Sequence, residues 1–236
     1  MPTTLHTPSV VLFDLDDTII ASDVHANQAW FEATKPHFDT PEHERLLDAL
    51  EQSRQWFWGD PERHRVARQD IPQARRDIAR LAFQRLERDD LDFADQLGDA
   101  YTAHHASLMH VIDGALDTLA MLRSEGIRLG LVTNGMGWMQ RSKIERFALA
   151  DYFEQIFIEG EVGIGKPDER IFLHALVTMD ADASSAWMIG DNLEWDVRAP
   201  RRVGINSVWV KREPTGAPEE SQYPTVRSIA ELQVLR

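Results

Sequence analysis

The sequence predicts an α/β fold: a mostly parallel sheet covered by helices, with an all-helical insertion after its first strand. Three observations carry this. "VVLF" at residues 10–13 is a continuous apolar run, as a strand buried on both faces requires. From about residue 111 onward, strand-like runs alternate with helix-like stretches. Between them, residues 22–110 hold helical patterns and no convincing strand. The expected division is a core of residues 1–21 and 111–236 around an insertion of residues 22–110.

In chain order, "VVLF" runs into Asp14, Asp16 and Asp17 within four positions. In the insertion, Thr40-Pro41-Glu42 and Asp60-Pro61-Glu62 each read as an N-cap followed by proline at the first helical position. Ile78, Leu81, Ala82 and Leu86 recur at helical spacing, with Arg75, Arg76, Asp77 and Arg80 expected on the opposite, solvated side. Beyond the insertion, Asp113 and Gly114 open a helix that Gly126 closes. "IRLGLVTNG" is a strand ending at Thr133 and Asn134; a helix, "WMQRSKIERFAL", and a short strand, "QIFIE", follow. Lys166-Pro167-Asp168 opens the next helix, "AWMIGD" is a strand ending at Asp191, a helix follows Glu194, and "INSVWV" is the last strand. The stretch from Glu213 to Gln222, rich in Pro, Gly and Glu, reads as a surface loop.

Composition narrows the function. The 236 residues are 43% hydrophobic and 27% charged, enough to build a core. A net charge of −14 repels a phosphate backbone, which argues against a nucleic acid polymer as partner. The absence of cysteine removes disulfides, thiolate nucleophiles and Cys-based zinc sites. No secretory signal and no apolar run near the ~20 residues of a membrane span are present, so the expected compartment is cytoplasmic, with no membrane partner.

Three apolar strands therefore stop at polar residues: Asp14, Thr133 with Asn134, and Asp191. Open parallel sheets bind ligands at the carboxyl ends of their strands, where the chain order reverses. If the strands are neighbours, Asp14, Asp16, Asp191 and the nearby Asp196 share one crevice. Asp14 and Asp16, two apart, point to the same side while the chain stays extended. Two unit charges ~4 Å apart at an effective dielectric near 20 repel by about 4 kcal/mol, so such a group needs protons or a cation. Oxygen-only ligands with room for water favour Mg²⁺. A carboxylate whose charge is partly offset can attack phosphorus, and a second can protonate the leaving oxygen and then deprotonate water. The Thr133 hydroxyl and Asn134 N–H suit phosphoryl oxygens, and Lys166 adds a compact positive charge.

Each signal alone has an ordinary structural explanation, as a turn or a helix start; their occurrence together and in this order does not. The set Asp14-Leu15-Asp16-Asp17-Thr18, Thr133, Lys166 in "GKPDERIF", and Asp191 with Asp196 in "GDNLEWD" resembles the four motifs of the haloacid dehalogenase superfamily. The likeness is to its phosphatases with a helical cap on a Rossmann-like core. "TNGMGWMQRSKI" and "EGEVGIGKPDERIF" are similar to the branch of pyrimidine 5′-nucleotidases and N-acylneuraminate-9-phosphatases. The resemblance implies Asp14 as nucleophile, Asp16 as acid/base, Thr133, Asn134 and Lys166 as phosphate-binding residues, and Mg²⁺ on Asp14, the Asp16 carbonyl and Asp191. Asp196 is implied to act from behind the metal or through water. The expected substrate is a small phosphorylated metabolite and the expected assembly a monomer or homodimer. The alternatives are a phosphomutase of the same fold, a 2-haloacid dehalogenase, which lacks the equivalent of Asp16, and a phospho-Asp signalling domain. Within the insertion, Trp56, Trp58, His64 and Arg68 are candidates to face a substrate; His104, His105 and His110 receive no role.

Overall fold

The computed structural model describes residues 3–6, 8–213 and 222–235. The chain opens with β1 (Thr3–His6), β2 (Val10–Phe13) and β3 (Ile20–Ala21). Five helices follow: α1 (Ala26–Thr34), α2 (Thr40–Trp58), α3 (Pro61–Ala67), α4 (Ile71–Arg85) and α5 (Leu91–Leu108). After β4 (His110–Val111) come α6 (Ala115–Ser124), β5 (Arg128–Thr133), α7 (Gly137–Arg146), β6 (Gln155–Ile158), α8 (Glu159–Val162) and α9 (Glu169–Thr178). The remainder is β7 (Ala186–Gly190), a π-helical turn (Leu193–Arg198), α10 (Ala199–Arg202), β8 (Asn206–Val210), β9 (Thr225–Val226) and β10 (Leu232–Leu235).

Six strands form a parallel sheet in the order β6–β5–β2–β7–β8–β9. From β2 the chain builds outward first through β5 and β6, then returns to the other side of β2 with β7 and β8. The order therefore reverses at β2, which has β5 on one side and β7 on the other. In register, Phe13 stands beside both Leu131 and Ile189, so the three strands end side by side. Val10 and Leu12 pack with Phe172, Ala175 and Met179 of α9 and its C-cap, while Val11 and Phe13 point to the opposite face and are equally buried. Burying each such side chain contributes roughly 1.5–3 kcal/mol. That stabilisation fixes the backbone that carries Asp14 into a low-dielectric position.

The chain separates into two compact units. One takes the chain up to Ala21 and from His110 onward; the other is Ser22–Met109. The second unit has its own core, in which Trp30, Leu46, Leu50, Ile78, Phe83 and Leu97 are buried. β3 and β4 form a short antiparallel pair, Ile20 opposite Val111, where the chain leaves the first unit and returns to it. Two-residue strands leave no periodic signal, and this pair is absent from the sequence reading.

Several local expectations need correction. Asp39, not Thr40, caps α2: its side chain accepts the Glu42 N–H at 3.2 Å, which places Pro41 one position further in. Asp60 caps α3 with Pro61 first in the helix, as the sequence implies. Arg75 is buried rather than solvated, its guanidinium 3.2 Å from His105 Nδ1 and 5.1 Å from the Tyr101 ring centre. A planar cation that stacks and hydrogen-bonds can enter a helix interface that hydropathy alone assigns to aliphatic residues. Lys166 does not begin α9; Asp168 does, accepting the Arg170 N–H, so Lys166 belongs to the preceding loop. β8 is not the last strand, since β9 extends the sheet and β10 pairs with β1 in a separate two-stranded sheet. The π-helical turn replaces the first part of the helix expected after Glu194. The expected loop from Glu213 to Gln222 falls mostly on residues 214–221, outside the described residues. Gly126 closes α6 with φ +80°, a conformation that glycine takes without steric cost. Among the described residues, no helix is long and apolar enough to cross a membrane.

Candidate active site

Asp14 follows β2, Thr133 ends β5 and Asp191 follows β7, so the strand order brings all three to one edge of the sheet. Among the described residues, one group of three acidic side chains is close enough to hold a metal: Asp14, Asp191 and Asp196, each offering an oxygen within 4.8 Å of the others. Asp196 reaches the group because the π-helical turn folds its carboxyl back against Gly190. A Cβ at Gly190 would overlap that carboxyl, and Asn192 N–H donates to Asp196 Oδ2 at 3.0 Å. Asp196, expected behind the metal, thus stands in the same carboxylate group as Asp14 and Asp191.

Lys166 is fully buried between two of these carboxylates, its Nζ 2.6 Å from Asp14 Oδ1 and 2.5 Å from Asp196 Oδ1. Burial opposes the lysine's charge, but Asp14 and Asp196 outweigh it and hold the ammonium above its ordinary value. Asp14 is pushed up to about 7, by burial first and further by Asp196 and Asp16, with Lys166 pulling against them. Asp191 is held well above the usual carboxylate range by burial and then by repulsion from Asp14, Asp196 and Asp17.

The Lys166 backbone is gripped from β5. Asn134 Oδ1 accepts the Lys166 N–H at 2.8 Å and Asn134 Nδ2 donates to the Lys166 carbonyl at 2.7 Å. Besides the N–H expected to face a phosphoryl oxygen, Asn134 thus has a side chain that fixes the lysine loop. Nearby, the buried Glu159 accepts the Gly135 N–H at 3.0 Å, and Gly165 leaves room for it.

β2 ends at Phe13, and Asp17 takes a left-handed φ of +56°. Asp16 turns to α7: Lys143 Nζ is 2.8 Å from each of its oxygens, and Gln140 Nε2 donates to Oδ2 at 3.0 Å. The same amide donates to Thr133 Oγ1 at 2.6 Å. The Asp16 carboxylate is thus outside the group of three, which leaves only its carbonyl for the metal contact implied by the sequence. Gln140 and Lys143 went unnoticed in the sequence, although they lie three apart on the helix that follows Thr133 and so share one of its faces.

A hard dication among Asp14, Asp191 and Asp196 would relieve the repulsion that, after burial, holds Asp14 and Asp191 above the usual carboxylate range. An all-oxygen donor set fits magnesium.

In the second unit, Trp56 is exposed and carries the Arg63 guanidinium 3.6 Å from its ring centre. Trp58 packs edge-on against Phe57 and His64. Arg68 is buried; burial and the Arg68 charge push His64 down to about 4. His105 is buried beside Tyr101 and Arg75, whereas His104 and His110 are exposed.

A parallel sheet whose order reverses at β2, with carboxylates and a buried lysine gathered at its strand ends, defines an α/β protein with an acidic crevice. The model of the haloacid dehalogenase-like hydrolases matches residues 8–204, and the chain belongs to that family. It is 46% identical over 94 residues to a phosphoserine phosphatase of Thermus thermophilus, covering 40% of this chain and 38% of that protein. It is 32% identical over 142 residues to a pyrimidine 5′-nucleotidase of Escherichia coli, covering 59% and 63%. The chain therefore spans less than two thirds of either relative. A HAD phosphatase structure from Thermococcus onnurineus superposes with a TM-score of 0.57 at 26% identity, over 94% of this chain and 95% of that one.

Proposed function

We propose that the protein is a Mg²⁺-dependent phosphatase that hydrolyses the phosphate monoester of a small metabolite through an aspartyl-phosphate intermediate. The observation that carries the reading is the meeting of Asp14, Asp191, Asp196 and Lys166 at the ends of adjacent strands. The names of the phosphatase and nucleotidase relatives support the same substrate class. Asp14, Asp191 and the Asp16 carbonyl would hold the metal, with Asp196 beside them. When bound, Mg²⁺ offsets the carboxylate charge and lets an anionic phosphate approach.

Lys166 bonds to Asp14 Oδ1, so Oδ2 is the attacking oxygen. It forms a bond to phosphorus as the bond from phosphorus to the leaving oxygen breaks, and Asp16 gives that oxygen its proton. Asp16, now a carboxylate, takes a proton from water, whose oxygen attacks the acyl phosphate. The bond between phosphorus and Asp14 then breaks and phosphate departs. Thr133 and the Asn134 N–H receive the non-bridging oxygens, and Lys166 holds the nucleophile in line. The helical insertion, residues 22–110, would serve as the cap and carry the substrate selectivity.

Asp14→Asn keeps the shape and removes the nucleophile. Its turnover of any accepted phosphate ester should fall at least ~10³-fold, since only binding and electrostatic assistance remain. A panel of nucleoside monophosphates, sugar phosphates and phosphorylated amino acids, assayed by phosphate release with and without a chelator, checks this. Wild-type turnover in the variant would remove Asp14 from the mechanism, and full activity in the chelator would remove the metal.

A further inference from the structure

Two side chains of α7 hold the Asp16 carboxylate, and the reaction as written does not use either of them. Lys143 Nζ spans both carboxylate oxygens at 2.8 Å, and Gln140 Nε2 adds a third donor at 3.0 Å. Three donors on two oxygens fix the plane of the carboxylate as well as its position. Gln140 is buried, and the Lys143 side chain is only 14% exposed, so neither contact is a loose surface pair. Gln140 also ties Asp16 to the phosphate side of the site, because its one NH₂ group serves Asp16 Oδ2 and Thr133 Oγ1 together. Asp16 and Thr133 therefore cannot shift independently.

From this geometry we infer that Lys143 and Gln140 are positioning residues that aim Asp16 at the leaving oxygen and keep it in register with Thr133. The inference rests on the reading of Asp16 as acid and base. Its consequence depends on the leaving group. An alkoxide needs the Asp16 proton to depart, whereas a dinitrophenolate does not. Both kinds of substrate need Asp16 when water attacks the phosphoenzyme. A misaimed Asp16 therefore slows the release of an alcohol and the hydrolysis of the phosphoenzyme, and leaves the first departure of dinitrophenolate intact.

The test compares Lys143→Met, Gln140→Leu, Lys143→Arg and Asp16→Asn in the full chain with Mg²⁺ present. Stopped-flow measurement with 2,4-dinitrophenyl phosphate reports the first step as a burst, and steady-state phosphate release reports turnover of an alkyl phosphate. In Lys143→Met the burst rate should stay within about threefold of wild type, whereas Gln140→Leu, which also releases Thr133, should slow the burst as well. Alkyl phosphate turnover should fall roughly 10–100-fold, a part of the ~10²–10⁴ that a positioned acid–base group supplies. Lys143→Arg, which keeps the donors, should recover most of that loss. The intact burst is also the check that Lys143→Met is folded, and circular dichroism is the check for Gln140→Leu. Equal slowing of both readouts in Lys143→Met, no change in either there, or an unaltered burst in Gln140→Leu would overturn the inference while a leaving-group-selective Asp16→Asn left the acid–base reading standing. An Asp16→Asn variant that treats both substrates alike would remove that reading, and the inference with it.

Discussion

Asn134 shows how one amide can set the position of a charge it never touches. Its carboxamide bonds the Lys166 N–H and carbonyl together, as a neighbouring peptide group would, and the ammonium at the far end of that side chain sits between Asp14 and Asp196. Asn134→Ala removes both bonds and strands two polar backbone groups in a partly buried loop. The expected cost is about 1–3 kcal/mol in stability. Displacing a catalytic group by ~1 Å can cost ~10²-fold, so kcat/KM should fall between about 10- and 100-fold. Asn134→Asp should not rescue, because it keeps the acceptor for the N–H but turns a carboxylate oxygen toward the Lys166 carbonyl. Urea unfolding and steady-state kinetics on the two variants check this. Full activity in Asn134→Ala would mean that Asp14 and Asp196 alone hold the lysine.

Among the elements, the pairing of α4 with α5 is exposed to a single change. A Cβ at Gly98 would lie 2.8 Å from Arg76 Cα and 2.9 Å from Arg76 N, backbone atoms that cannot swing aside. Gly98→Ala must push the two helices apart. Helix propensity favours alanine by about 1 kcal/mol, and overpacking of a close contact costs about 1–3 kcal/mol, so net destabilisation is expected. A lower urea midpoint than wild type is the check. The close approach was invisible in the sequence, where "DQLGDAY" reads as a helix weakened by one glycine. Strands β2, β5 and β7 are legible because each is an apolar run that stops at a polar residue; their adjacency is a condition the sequence leaves open and the order β5–β2–β7 meets. Asp14, Thr133 and Asp191 could be named on that basis. Lys166-Pro167-Asp168 announces a helix start, but only Asp168 caps it, by accepting the Arg170 N–H, and Lys166 lies in the loop before it. Gln140 and Lys143 were not found, since helical periodicity says which residues share a face but not what that face meets. β9 and the β3–β4 pair are two residues long, too short for any period to show.

At the scale of the whole molecule, the chain carries −14 and still draws three carboxylates into one buried group. Lys166 offsets part of the repulsion; the rest is a standing cost to the fold until a divalent cation joins, and that cost has a thermal signature. Burial and neighbouring charges already hold Asp191 well above the usual carboxylate range. Asp191→Asn removes one of the repelling charges, so in a chelator the variant should melt above wild type. With Mg²⁺ the order should invert. A ligand at 100 times its Kd stabilises by about 2.7 kcal/mol, and for a chain of this size each kcal/mol moves Tm by roughly 2–4 °C, so wild type should rise by about 5–10 °C. Asp191→Asn, with a ligand lost, should rise far less. Melting curves of both proteins in chelator and in Mg²⁺, at matched ionic strength, separate site binding from general screening of an acidic surface. If the two proteins gain equally, the cation acts on the overall charge, and the carboxylate group at the strand ends is not its site.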